Sequence, residues 1–305
     1  MANRKQVKGP RVHDSMGPTE RKVWLRVGLA AAAIGIVALL IFNNSSDSDG
    51  GDSTTVQHIH GMAVDPQDPA NVYLATHHGL FYGNEDAGWE RVGKVKDDLM
   101  GFTIDVDGER LWSSGHPVSG GNMGVRLSQD GGESWEYLAL DGVDFHAMTI
   151  SPADDATMWG TFAGQLYRSL DAGQTWTTIG PAPAGAFSLS AHPADADTLY
   201  ASGQNGILRS LDGGATWEGW VNTVTTHVAF AAPDGSSMVA IGPDGIRKSI
   251  DAGATWQSLG GTFDGVPSLV AVHPGDADIL YLSTFNDAVY KSTDGGVSWD
   301  LALGA

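Results

Sequence analysis

The chain has 305 residues, 42% of them hydrophobic, 41 of them glycine and none cysteine; that length suits one large domain or two small ones. The absence of cysteine excludes disulfides, thiolate nucleophiles and thiolate metal ligands. Charge is uneven. Seven of the 17 basic residues fall within residues 1–42, and the remainder holds 10 basic against 34 acidic residues, a formal charge of −24 that argues against nucleic-acid binding.

Residues 1–22 are polar and carry Arg4, Lys5, Lys8, Arg11, Arg21 and Lys22. Residues 23–42 follow as an almost wholly apolar run, broken only by Arg26 near its start. About twenty residues at ~1.5 Å each span one bilayer core, so this run is expected to be a single transmembrane helix. The basic flank precedes it, which places the N-terminus in the cytoplasm and the rest of the chain outside, at the cell membrane. The run meets Asn43-Asn44-Ser45-Ser46 without a small-x-small site, so an uncleaved anchor is expected rather than a signal peptide. Residues 43–56 (NNSSDSDGGDSTTV) read as a flexible linker.

From residue 57 onward one motif recurs, Ser-x-Asp-x-Gly-x-x-Trp. It stands at 128–135 (SQDGGESW), 169–176 (SLDAGQTW), 210–217 (SLDGGATW), 249–256 (SIDAGATW) and 292–299 (STDGGVSW), with a shortened copy at 86–89 (DAGW). Ser and Asp side chains bond nearby backbone N–H groups, Gly accepts positive φ, and Trp buries a large ring. Each repeat also holds four strand-like runs, which in the fourth are 187–191, 198–202, 206–210 and 216–221. Four strands per roughly 40 residues make one blade of a propeller. The expected fold is all-β: a six-bladed β-propeller over 57–305, with blades at 57–94, 95–140, 141–181, 182–221, 222–260 and 261–305, preceded by the one N-terminal helix.

These turns resemble those of the Asp-box (BNR-repeat) β-propeller families, which include sialidases, sortilin-like domains and bacterial proteins labelled glycosyl hydrolase or exo-α-sialidase. The resemblance implies the fold. It does not carry over sialidase chemistry, which needs an arginine cluster: Arg126, Arg168, Arg209 and Arg247 each precede an Asp-box, in repeated positions on the third strand.

Nine of the ten histidines lie in the propeller. Superposing the repeats on the turn after each first strand (Asp65, Asp105, Ser151, His192, Ala232, His273) and counting back five gives His60, Met100, His146, Phe187, His227 and Ser268. Two residues earlier stand His58, Asp98, Asp144, Gly185, Thr225 and Val266, expected on the same strand face because side chains alternate. Strand two returns to the same end of the blade and brings His77, His78 and His116, and the long loop 115–124 (GHPVSGGNMG) adds Met123.

His58, His60, His77, His78, Met100, His116 and His146 are therefore candidate ligands of a transition metal at the channel mouth. Asp98, Asp144, Met123 and, across the ring, His227 are secondary candidates. Imidazole suits several transition metals and thioether favours Cu(I), so the set points first to copper, with zinc as the alternative. His192 and His273, each before a proline in a turn, read as structural. The expected role is metal handling or metalloprotein assembly. Two alternatives remain: a protein-binding scaffold using the same face without metal, and a glycosyl hydrolase-like or metal-dependent hydrolase, with Asp98 and Asp144 as its catalytic carboxylates. The balance of these features is against an enzyme.

Overall fold

The computed structural model describes residues 56–304. The anchor expected over 23–42 lies outside them; among the described residues no helix is long and apolar enough to cross a membrane.

Among the described residues every strand belongs to one of six four-stranded sheets, and each sheet is built from four consecutive strands in antiparallel order. Blade one comprises β1 (Ile59–Val64), β2 (Val72–Thr76), β3 (Gly79–Asn84) and β4 (Gly88–Arg91). Blade two comprises β5 (Asp98–Ile104), β6 (Leu111–His116), β7 (Val125–Ser128) and β8 (Glu136–Ala139). Blade three comprises β9 (Ala147–Ser151), β10 (Asp154–Phe162), β11 (Gln165–Ser169) and β12 (Thr177–Pro181). Blade four comprises β13 (Ala186–Ala191), β14 (Leu199–Gly203), β15 (Gly206–Ser210) and β16 (Glu218–Val221). Blade five comprises β17 (His227–Phe230), β18 (Met238–Gly242), β19 (Gly245–Ser249) and β20 (Gln257–Ser258). Blade six comprises β21 (Pro267–His273), β22 (Asp276–Thr284), β23 (Val289–Ser292) and β24 (Asp300–Leu303). The first strand of each blade touches the first strand of the next, and β21 returns to β1, so the six inner strands form a ring. Residues 56–304 are thus an all-β six-bladed propeller.

The repeated turn explains the repeated motif. In each of the five full copies the Ser hydroxyl donates to the Asp carboxylate at 2.8 Å and accepts the N–H of the second Gly-position residue at 2.8–2.9 Å. The Asp also accepts the N–H and hydroxyl of the Ser or Thr before the Trp. The shortened copy in blade one folds differently. There Asn84, not Asp86, holds the turn by accepting the N–H groups of Asp86 and Ala87.

Apolar side chains from adjacent sheets fill the gaps between blades. A typical layer joins Trp112 and Val125 of blade two to Phe145, Met148 and Ile150 of blade three. Ring closure uses the same device. Ile59, Val64 and Leu74 pack against Ala271, Tyr281 and Val289 of blade six. The Tyr281 hydroxyl donates to the Ala70 carbonyl at 2.8 Å, and the Ile59 N–H donates to Asp287 Oδ1 at 3.0 Å. Among the described residues no strand is exchanged between the first and last blades: each keeps its own four.

Candidate metal centre

Antiparallel strands put the start of strand one, the end of strand two and the 2–3 hairpin at one face of the ring. The Asp-box turns, between strands three and four, fall on the other. His58, His60, His77, His78, Met100, His116 and His146 all belong to the first face, as do Asp98 and Asp144.

The inner strands do not run into this face as simple pleats. The β1–β2 register skips His60, since Ile59 pairs Thr76 while Gly61 pairs Ala75. The β5–β6 register skips Met100 in the same way, β13–β14 skips Phe187, and β21–β22 skips Ser268. A β-bulge adds one residue to a strand and turns its side chain out of the alternation. The packing shows the change of parity: Ile59 shares an apolar cluster with Met62 and Val64, Leu99 with Phe102 and Ile104, and Phe145 with Met148 and Ile150. His60, Met100 and His146 thus occupy one repeated position, but it is a bulge level. The expectation that His58 and His60 share a face by simple alternation is corrected accordingly. His58 is exposed before β1, with a positive φ of 54°.

Blade five needs a second correction. The N–H groups of Asp65, Asp105 and His192 donate to the chain just before strand two, at 3.0, 3.1 and 3.0 Å. The equivalent donor in blade five is Ala231, at 2.8 Å, not Ala232. The bulge level there is occupied by buried Thr226, whose hydroxyl donates to Ile241 and Pro267 carbonyls. His227 lies one residue on, in β17, with its Nδ1 3.5 Å from the Val270 N–H of blade six. Burial pulls its imidazole down to about 4.

Small residues bring blades one, two and three close together at this level. A Cβ on Gly61 would lie 2.6 Å from Phe102 Cβ, and one on Gly101 would lie 2.4 Å from the Phe145 carbonyl oxygen. Each glycine directly follows a bulge, so the approach carries the bulge side chains of one blade to the strand start of the next.

Two clusters result. In the first, His60 Nε2 lies 3.7 Å from Asp98 Oδ1, and His77 Nδ1 lies 3.3 Å from Asp98 Oδ2. In the second, Asp144 Oδ2 lies 3.1 Å from His116 Nε2 and 2.5 Å from His146 Nε2. Within each cluster the candidate donor atoms all lie within 4.8 Å of one another. The His77 ring also meets the rings of His60 and His58, with centroids 4.5 and 4.9 Å apart.

Three buried polar atoms here have no hydrogen-bond partner: His60 Nε2, Asp98 Oδ1 and Asp144 Oδ1. Such atoms cost free energy, roughly 1–3 kcal/mol each, unless something pairs with them. Burial, followed by the positive potential of His77 and His58, holds the His60 imidazole well below its usual range. Burial first, then His58 and His78, brings His77 to about 4. Both rings are neutral at pH 7, with lone pairs available. Burial lifts the Asp98 carboxyl to about 7, with Asp144 adding to the rise and His116 and His146 opposing it. His116 is oriented from behind: its Nδ1 lies 3.0 Å from the Gly121 carbonyl, which can only accept. Nδ1 therefore carries a proton, and the carbonyl fixes the ring with Nε2 turned towards Asp144, the kind of orientation by an outer partner that prepares a histidine for a metal.

The donor set fits a transition-metal ion. Donors bound to one tetrahedral ion at about 2.0 Å stand about 3.3 Å apart, and three of the four His–Asp distances are 3.1–3.7 Å. The fourth, His146 to Asp144, is a hydrogen bond that an ion would have to open. Two imidazoles with one carboxylate suit Zn(II), Cu(II), Ni(II) or Fe(II).

The other sequence candidates lie apart from these clusters. Met123 is buried with Leu99, Phe102 and Leu111 between blades one and two. His78 is half-buried beside His58 and Arg91, which together with burial lower its imidazole. Met100 is buried at the bulge. His192 and His273 serve turns, their Nδ1 atoms accepting the N–H of Ala194 and Gly275. Arg126 pairs with Asp97, Arg168 with Asp197 and Arg209 with Glu218 on the blades.

No protein-family model matches the chain, and no curated protein matches it in sequence. Solved structures match its fold. A GH74 enzyme from Niastella koreensis superposes with a TM-score of 0.59 at 18% identity, covering 81% of this chain and 45% of that one. The GH74 xyloglucanase from Xanthomonas campestris gives 0.56 at 19%, covering 83% and 46%. Hydrazine synthase from Kuenenia stuttgartiensis gives 0.51 at 15%, covering 80% and 79%. The chain spans less than half the length of the GH74 proteins it matches, and at these identities the likeness is one of fold alone, a β-propeller.

Proposed function

We propose that this chain is a membrane-anchored, extracytoplasmic Asp-box propeller that binds a transition metal at the face where blades one to three meet, and that it serves in metal handling or in the assembly of a metalloprotein. The observation that carries the reading is the pair His60 Nε2 and Asp98 Oδ1, buried, unpaired and directed at one another across 3.7 Å. His77, His116, Asp144 and His146 supply the remaining donors. Cu(II) is the first choice, because nitrogen and oxygen sites bind it more tightly than other divalent first-row ions, and Zn(II) is the alternative.

The test is metal retention. The full chain, purified without a histidine tag, is loaded with Cu(II) or Zn(II), desalted and assayed by elemental mass spectrometry. Retained metal that disappears in a folded His60→Ala/His146→Ala variant supports the reading. No retained metal in either case overturns it and leaves a protein-binding scaffold.

A hydrolase is the second reading, favoured by Asp98, lifted to about 7, and its neighbour Asp144, whose Oδ2 lies 3.1 and 2.5 Å from two histidines. A carboxyl raised towards neutrality beside a second carboxyl is the kind of pair that acid and base catalysis of glycoside cleavage uses. Turnover of a β-glucan by the wild type, lost in Asp98→Asn and in Asp144→Asn, would favour it; metal-dependent turnover of that substrate would unite the two readings.

A further inference from the structure

We infer that the site holds two metal ions, one in each His–His–Asp cluster. The inference rests on the metal-binding reading above and deepens it.

The two clusters are repeat-related. His77 stands two residues beyond Ala75, the partner of Gly61, and His116 stands two residues beyond Ser114, the partner of Gly101. The two histidines therefore occupy the same position, at the end of strand two, in blades one and two. Asp98 and Asp144 likewise occupy the same position, two residues before the bulge level, in blades two and three. Each cluster thus has the same kernel: the strand-two histidine of one blade facing the strand-one aspartate of the next, 3.3 Å apart in one case and 3.1 Å in the other. A duplicated kernel gives two places for an ion.

Each kernel is completed by a bulge-level histidine, from opposite sides. His60 comes from the blade that carries His77, and His146 comes from the blade that carries Asp144. The bulge position between them, in blade two, is Met100, so neither cluster can take its third imidazole from that blade. Each cluster holds two imidazoles and one carboxylate, and neither needs a residue of the other. One carboxylate oxygen in each, Asp98 Oδ1 and Asp144 Oδ1, is buried without a hydrogen-bond partner.

The clusters also adjoin one another, since Asp98 feels the charges of His116, Asp144 and His146. Two divalent ions here would share a neighbourhood with two carboxylates, which offsets their mutual repulsion.

The experiment counts ions. The full chain is titrated with Zn(II) under isothermal calorimetry, and the stoichiometry is checked by elemental analysis after desalting. The expected result is two equivalents for the wild type and one each for His77→Ala and His116→Ala, positions at the rim whose loss leaves the blades packed. Circular dichroism confirms that both variants fold. One equivalent in the wild type, abolished by either substitution, would mean one shared ion; it overturns the second site and leaves the metal-binding reading standing. One equivalent sensitive to only one substitution also overturns it. No binding overturns both. Cu(II) adds an independent readout: two ions in adjoining clusters broaden each other's electron paramagnetic resonance, and the broadening should vanish in either single variant.

Discussion

His60 Nε2 and Asp98 Oδ1 are 3.7 Å apart, both buried and neither hydrogen-bonded within the described residues. The distance is too long for a hydrogen bond and about right for two donors on one ion. It exists because a bulge turns His60 out of β1 and because Gly61 lets β1 approach blade two.

The carboxylate of Asp98 should therefore be costly to the metal-free fold and necessary to the metal-bound one. Asp98→Asn keeps the shape, removes the buried charge and weakens the anionic donor. At pH 8 the metal-free variant should unfold at no lower urea concentration than the wild type, while its affinity for Zn(II) at the first cluster falls at least about tenfold. A variant that binds as well as the wild type would remove Asp98 from the ligand set.

Ligand binding should appear as stability. Zn(II) at about 1,000 times its dissociation constant should raise the unfolding free energy by roughly 4 kcal/mol per site. Differential scanning calorimetry should show this rise in the wild type and its loss in His60→Ala/His146→Ala.

Acid should weaken the metal-free fold through His227. Its folded pKa is about 4, below its unfolded value near 6.5, so the native state resists a proton that the unfolded chain accepts. No penalty exists above about pH 6.5; it grows as pH falls from there towards 4, to a few kcal/mol at most. His227→Gln should flatten the dependence of melting temperature on pH between 7 and 5.

Ring closure should be the weak seam of the propeller. With no shared strand, it depends on side chains such as Tyr281, fully buried and bonded to Ala70. Tyr281→Ala should cost about 3–5 kcal/mol, and hydrogen exchange should rise first in β1 and β21. Uniform exchange across all six blades would show that closure is no weaker than the other seams.

The Asp-box serines should each matter for stability. Ser169→Ala leaves the buried Gly173 N–H without its acceptor, at a cost of about 1–3 kcal/mol measured by urea unfolding. Leu170→Ala, at an exposed neighbour, should cost little.

Much of the site was legible because the blades repeat. Counting back from the turn after each first strand aligned His60 with Met100 and His146, and Asp98 with Asp144, and the antiparallel return brought His77 and His116 to the same face. The same count slipped at blade five, where Pro233 lies two residues after the true anchor, Ala231, and it put His227 at a level that Thr226 holds. A proline is visible in sequence; the N–H donation that defines the anchor is not. The bulges were invisible for a related reason, since alternation alone describes a regular pleat, and nothing local marks the residue that the partner strand skips. Met123 looked like a loop thioether, yet the loop turns it into the apolar layer between blades one and two.

The sequence by itself determined the blade count and the turn chemistry, because Ser, Asp, Gly and Trp at fixed spacing act within one turn and need no distant partner. It also determined which face of the ring carries the candidate ligand histidines. Only the tertiary structure decided that His60 and His77 share Asp98 while His116 and His146 share Asp144, and that the first blade meets the last without exchanging a strand. Those pairings join different blades, and their distances depend on how closely neighbouring sheets approach, a property of glycines packed against bulges rather than of any single repeat.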